Sequence, residues 1–288
     1  MILGLYLKLI RLMAQDKKVP AIEIVADYDR LAVGYDENFA ARVKCHSYEL
    51  INRLNIFNGA KVLELACGTG VITEKIAGVV GASGRVIAVD NSSKMLEKAR
   101  EKSGNSVNFI QADMLAALKD LSAETFDFAI CGWAIGYHEP LAMLAGMCRV
   151  LKPAGKIGII ENRRDTLKVV RDASWQVMAR YPGDIEYLMD LPLRLPRDPG
   201  DLTRWFKRVG LASVDSWTGD TCFEFKSGVQ VLDWVLKTGA SAGFDRMMSA
   251  AAKEKCDKAF IDIMDKRYKH DGVIKVSHRF VAGIAVKR

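Results

Sequence analysis

The chain has 288 residues, half of them hydrophobic and 27% charged, with a mean hydropathy of +0.03. That balance describes a globular chain and excludes a disordered, collagen-like or largely membrane-spanning one. Its 42 Lys and Arg against 35 Asp and Glu leave a net charge of +7, too modest at this length to point to nucleic acid by itself. The six cysteines, at 45, 67, 131, 148, 222 and 256, include no CxxC or similarly close pair. Neither a zinc site nor a small disulfide framework is expected, and a reducing cytoplasm is the simplest setting.

Residues 1–13, MILGLYLKLIRLM, are apolar but shorter than the roughly 18 to 20 residues that span a bilayer, and Lys8 and Arg11 interrupt them. Gly4, Lys8 and Arg11 recur at spacings of four and three, so a helix here carries one polar stripe on an otherwise apolar cylinder. Such a segment packs on the body of the protein, makes peripheral, reversible contact with a membrane, or is an artefactual upstream start ahead of Met13. A stretch containing Tyr28 and Tyr35 follows and can form a lid, and residues 37–55 read as a helix.

From Lys61 to Glu161 short apolar runs alternate with amphipathic segments, the pattern of βα units and a mainly parallel sheet. KVLELA, RVIAVD, VNFIQ, FDFAIC and GKIGIIE are the expected strands, and TGVITEKIAGVV, SSKMLEKAREK, MLAALKD and LAMLAGMCRVL the helices between them. Five strands and four crossovers in about 100 residues make a doubly wound α/β core. Beyond it, 163–181 reads as helical, Pro192, Pro196 and Pro199 break 186–199, and a helix restarts with Asp201 as N-cap. Residues 211–226 read as extended, 228–239 and 244–270 as helices, and GVIKVSHRFVAGIAVKR as a closing strand. The expected division is 1–57 as N-terminal helices and lid, 58–161 as the core, and 162–288 as the rest of the sheet, with helical cap insertions at about 163–200 and 227–271.

The first strand runs into ELACGTG, where missing side chains let a ligand approach the backbone. A dinucleotide fingerprint needs Gly or Ala three residues after Gly70; Thr73 stands there, against a nicotinamide or flavin site. Asp90 ends the second strand twenty residues after Gly70, the spacing at which a carboxylate reaches ribose hydroxyls. Asp113 follows the third strand and GWAIGYHEP the fourth, so all these groups gather at the carboxyl edge of the sheet, where ligands bind.

VLELACGTG, RVIAVDNSSKML, FIQADM, FDFAICGW and RVLKPAGKIGIIE, in this order over about residues 58–161, resemble the class I S-adenosylmethionine-dependent methyltransferases. The likeness is to the small-molecule group that includes ubiquinone and menaquinone C-methyltransferases. The resemblance implies a Rossmann-like, doubly wound, mainly parallel seven-stranded sheet with helical caps. It implies S-adenosyl-L-methionine as cofactor, S-adenosyl-L-homocysteine as product, a small-molecule acceptor and in-line methyl transfer, with no metal. Carried onto this chain, it implies that Glu64, Ala66, Gly68 and Gly70 line the methionine part, and that Asp90 holds the ribose diol. Asp113 takes the adenine amino group and Met114 offers its N–H to the ring, with Asn91 and Met95 alongside; Met95 and Met114 serve equally as packing. Gly132 and Trp133 flank the sulfonium side. The sequence departs from the family in Ala66 and Ala154, which stand at usual glycines and are expected to be tolerable at negative φ.

On the acceptor side, His138 and Tyr137 are the catalytic candidates, because imidazole titrates near neutrality and can take a proton from the acceptor. His138 can equally be a helix-start residue beside Glu139 and Pro140. Tyr28, Tyr35 and Trp175 are expected to wall the acceptor pocket, within a cap that also supplies Tyr181, Tyr187, Met189, Trp234 and Phe244. Cys67 reads as a small turn filler. The alternatives are a nucleic-acid methyltransferase using Arg163, Arg164, Arg194, Arg197, Arg204 and Arg208, a metalloid methyltransferase using Cys67 with Cys131, and a non-catalytic S-adenosylmethionine-binding module. The first lacks its Asp/Asn-Pro-Pro-Tyr/Phe motif, since Cys131–Ala134 stand in that place.

Overall fold

The computed structural model describes residues 2–103, 106–189, 194–239 and 246–288. In chain order the elements are α1 (Ile2–Ala14), α2 (Ala21–Leu31), α3 (Ala41–Leu54), β1 (Lys61–Leu65), α4 (Val71–Val80), β2 (Arg85–Asp90), α5 (Ser93–Ser103), β3 (Val107–Gln111), α6 (Met114–Asp120) and β4 (Phe126–Gly132). Then follow α7 (Pro140–Val150), β5 (Leu151–Asn162), α8 (Lys168–Arg180), α9 (Pro199–Arg208), β6 (Leu211–Phe225), α10 (Gly228–Leu236), α11 (Lys253–Ile263), β7 (Lys269–His270) and β8 (Val273–Lys287).

Two compact units interleave along the chain. A sheet unit comprises Phe39–Thr166, Leu191–Asp220 and Arg279–Arg288; a helical unit comprises Met1–Asn38, Leu167–Asp190 and Thr221–His278. Three separated stretches of chain build each unit.

Eight described strands form one sheet in the order β3-β2-β1-β4-β5-β8-β6, with β7 paired to β8. That is one more than the seven expected, and the extra strand is the two-residue β7, antiparallel to the start of β8. Strands β1 to β5 are parallel, and β8 joins β5 antiparallel. Successive side chains of a strand point to opposite faces. Leu63 and Leu65 thus pack with Leu118 of α6, Met143 and Met147 of α7 and Phe206 of α9, while Val62 packs with Leu54 of α3, Ile76 of α4 and Leu96 of α5. Covered on both faces, these strands read as continuous apolar runs, which is why they were visible in the sequence.

Outside the core the elements shift. Helix α8 starts at Lys168 rather than 163, because residues 163–166 are tied to β8: Arg163 N–H donates to Arg279 O, and Arg279 N–H donates to Thr166 Oγ1 at 2.9 Å. The N-cap of α9 is Asp198, not Asp201; Asp198 Oδ1 accepts the Asp201 N–H at 2.9 Å, with Pro199 at the first helical position. Asp201 is clamped instead by Arg197 and Arg204, which hold its carboxyl well below the usual range. Among the described residues of 244–270, Lys253–Ile263 is the α-helical part, followed by a π-helical turn at Met264–Tyr268. Pro192 and Phe244 lie outside the described residues. In the helical unit, α1 seats Leu5 and Leu12 against Ala179 and Ile185. Among the described residues no helix is long and apolar enough to cross a membrane.

Candidate functional site

The order of the sheet reverses between β1 and β4, which leaves a crevice outside the carboxyl ends of these strands. The loop after β1 turns through positive φ at Ala66 (54°), Gly68 (53°) and Gly70 (81°). The two glycines differ in purpose. A Cβ on Gly70 would lie 2.9 Å from Ala99 Cα of α5, so this glycine admits a neighbouring helix; a Cβ on Gly68 would meet nothing within 4 Å. Gly68 therefore leaves room for a ligand. Ala66, expected at negative φ, stands in the left-handed region, as does Ala154 at 62°, a conformation that costs an L-residue about 1–2 kcal/mol.

Asp90 ties this loop to the next strand: its Oδ2 accepts the Gly68 N–H at 2.8 Å and its Oδ1 the Ser92 N–H at 2.9 Å. Glu64 is buried at the end of β1, and neither its Oε2 nor the Oγ1 of buried Thr73 has a hydrogen-bond partner. Burial, opposed by the nearby Thr73 hydroxyl and reinforced by the charge of Asp90, pushes the Glu64 carboxyl up to about 8. Met95 is buried within α5, its N–H donating to Ser92 Oγ, and Asn91 is exposed with its carbonyl accepting from Gln111 Nε2.

Asp113 caps α6, with Oδ1 accepting the N–H groups of Leu115 at 2.9 Å and Ala116 at 3.1 Å, while its Oδ2 lies 2.8 Å from His138 Nε2. Met114, the first residue of α6, is buried. His138, one residue before the N-cap of α7, thus meets the carboxylate that caps α6, and Tyr137 is partly buried against the core beside it. Gly132 ends β4 where a Cβ would strike Ile72 Cδ1 at 2.6 Å. Trp133 follows at φ 62°, an uncommon conformation for a bulky residue and one that its surroundings hold in place. Its N–H donates to Ile160 O at 2.7 Å and its Nε1–H to Ser47 Oγ at 3.0 Å, and its ring meets Phe39 and Phe280 edge-on.

The matches with known proteins agree with this geometry. A methyltransferase domain model matches residues 62–155. The demethylmenaquinone methyltransferase of Lactococcus lactis subsp. lactis (strain IL1403) is 30% identical over 210 residues, which cover 67% of this chain and 80% of that protein. The chain belongs to the class I S-adenosylmethionine-dependent methyltransferases. Among solved structures, a Bacillus halodurans C-125 protein superposes with a TM-score of 0.57 at 17% identity, covering 84% of this chain and 98% of that one. The cyclase SpnF superposes with a TM-score of 0.50 at 16% identity, covering 85% and 81%, so the fold by itself does not fix the chemistry.

S-adenosylmethionine is the cofactor of this methyltransferase, and its strand ends fit a polar, cationic ligand. Glu64 Oε2 and Thr73 Oγ1 are orphaned, Gly68 is open, and Asp90 stands at the end of β2. The thiols of Cys67 and Cys131 are buried and pushed up by that burial, so Cys67 fills its turn as an inert group. Of the aromatic groups expected to wall an acceptor pocket, Tyr28 and Tyr35 come together with ring centroids 6.4 Å apart, and Trp175 meets Tyr6 at 6.5 Å. Sequence reasoning missed Glu161, buried at the end of β5, whose Oε2 accepts the Gly136 N–H at 2.9 Å and Oε1 the Asn162 N–H at 2.6 Å. Burial pushes its carboxyl up to about 7 against those hydrogen bonds. The strand-end rule that picked out Asp90 and Asp113 covers Glu161 equally. Thr73, Ser47, Phe39 and Phe280 carry no local signal, since their part is set by neighbours distant in sequence.

Proposed function

We propose that this methyltransferase acts on a small molecule, by in-line transfer to a ring-bearing acceptor of the quinol class. The observation that carries the reading is the 30% identity across 80% of a demethylmenaquinone methyltransferase. When bound, S-adenosylmethionine supplies a sulfonium-activated methyl group, and transfer returns the carbon–sulfur bonding pair to sulfur as S-adenosylhomocysteine forms. The chain supplies positioning and water exclusion. Glu64, with its orphaned Oε2, and the backbone of Ala66, Gly68 and Gly70 receive the methionine part. Asp90, held at the end of β2 by the Gly68 and Ser92 N–H groups, takes the ribose diol. Three donors on Asp113 leave about one of a carboxylate's four acceptor sites for the adenine amino group. Met114 adds the first N–H of α6, which no carbonyl of its own helix engages. Gly132 and the fixed Trp133 flank the sulfonium, with Asn91 and Met95 on the adenosine side.

A proton leaves the acceptor as the methyl arrives, and His138 is the group to take it. Its Nε2 is oriented by Asp113, so Nδ1 is the nitrogen that faces the task; Tyr137 is the second candidate. In this reading Tyr28, Tyr35 and Trp175 are the proposed acceptor-side aromatic residues. A nucleic-acid acceptor is disfavoured, because Arg163, Arg194, Arg197 and Arg204 are each engaged by a carboxylate of their own unit. The test supplies purified protein and labelled S-adenosylmethionine with a water-soluble reduced demethylmenaquinone analogue or with short RNA. Methylated quinol without methylated RNA is expected; the reverse outcome overturns the small-molecule reading.

A further inference from the structure

Helix α1 is inside out. Ile2, Leu3, Tyr6, Leu7, Ile10 and Met13 are all exposed, Leu3 at 72% and Ile10 at 60%, while the side seated on its own unit offers Leu5 and Leu12. At 100° per residue, Leu3, Leu7 and Ile10 occupy the pole opposite Leu5 and Leu12, where a helix of a globular protein ordinarily carries charge. Lys8 and Arg11 lie together on one flank, α1 contains no acidic residue, and exposed Lys17 follows it. At the edge of the apolar face Tyr6 meets Trp175 of α8, itself 42% exposed, giving an aromatic pair with polar tips.

We propose that α1 lies in the headgroup–acyl boundary of an anionic lipid membrane, its apolar pole in the acyl region and Lys8, Arg11 and Lys17 against the headgroups. A wide apolar face, a cationic flank and aromatic rings at the border are what that boundary stabilises. The charge separates lipid from a second copy of the chain: α1 packed face to face on itself sets Lys8 and Arg11 of both helices together with no acid on either helix to balance them, whereas anionic headgroups do balance them. Among the described residues no helix is long and apolar enough to cross a bilayer, so the proposed contact is peripheral. The proposal stands on α1 and α8 and does not depend on the acceptor.

The test is sedimentation of the full-length protein with phosphatidylcholine vesicles, with and without phosphatidylglycerol. Wild type is expected to pellet with the anionic vesicles and to be released by salt. A Leu3→Glu/Leu7→Glu/Ile10→Glu variant, altered only at exposed positions, is expected to stay in the supernatant while binding S-adenosylhomocysteine as wild type does. Lys8→Ala and Arg11→Ala should each weaken binding to the anionic vesicles by about fivefold. Wild type that pellets with neither vesicle, or a triple variant that pellets as wild type does, overturns the proposal. So does a wild-type dimer in sedimentation equilibrium that the triple variant loses, which gives the face to a second copy.

Discussion

In the sheet unit ionisable groups are buried: Glu64 and Glu161 stand at strand ends with almost no access to water. In the helical unit apolar surface is exposed, with six large side chains of α1 facing outward. Each arrangement runs against the usual partition, and each is costly in the isolated chain. The difference teaches where each unit expects a partner. The buried Glu64 carboxyl, with its orphaned oxygen, awaits a polar ligand of opposite charge, and an exposed apolar pole awaits an apolar one. The mid-sheet departures are compensated locally, as Trp133 shows by its hydrogen bonds to Ile160 O and Ser47 Oγ and its packing on Phe39 and Phe280.

Substitutions can break this comparison one side at a time. The largest effect is expected at His138, on the acceptor side of the sheet unit. His138→Ala should lower turnover by about a hundredfold or more with S-adenosylhomocysteine affinity unchanged, measured by steady-state kinetics and calorimetry. Unchanged turnover would leave the histidine a mere neighbour of the α7 cap.

The next effect concerns Glu64 and pH. Its native carboxyl titrates at about 8, above the ordinary 4.5, so between those values the folded chain holds a proton that the unfolded chain has lost. Stability of the ligand-free protein therefore falls as pH rises through that window, and Glu161, raised to about 7, acts with the same sign. Cofactor binding that pairs the Glu64 carboxylate with an ammonium releases this proton, so affinity should rise with pH toward 8. Glu64→Gln should weaken S-adenosylhomocysteine binding by about tenfold, flatten its pH dependence and make the ligand-free protein melt higher at pH 8. A wild-type affinity that does not vary between pH 6 and pH 8 contradicts the assignment.

The smallest effects test local backbone strain. Ala154→Gly relieves a left-handed alanine at the start of β5 and should stabilise by about 0.5–1 kcal/mol after the added unfolded-state entropy of glycine. Ala142→Gly, in the exposed turn of α7, should destabilise by about 1 kcal/mol. Chemical denaturation of the two variants should give opposite signs.

The core was legible because its signals are local. β2 and β3 run over the residues their apolar composition indicates, and Asp90 and Asp113 are marked by standing just where those runs stop. The helical unit was less so beyond α1, since it is assembled from separated stretches and the limits of α8 and α11 depend on partners far along the chain. Asp198 took the cap expected of Asp201 because Arg197 and Arg204 claim the latter, a competition between side chains that no spacing rule weighs. Ala66 shows the other limit: a sequence reports that glycine is missing, but the sign of φ at that position comes only from the turn itself.

The central claim, that the carboxyl edge of the sheet holds S-adenosylmethionine through Asp90, is tested most directly by calorimetric titration of S-adenosylhomocysteine into wild type and Asp90→Asn. The amide keeps the shape and one acceptor for the Gly68 or Ser92 N–H while losing the charge. A well-folded Asp90→Asn protein whose affinity falls by about tenfold or more is the predicted result; one that binds as tightly as wild type contradicts the account.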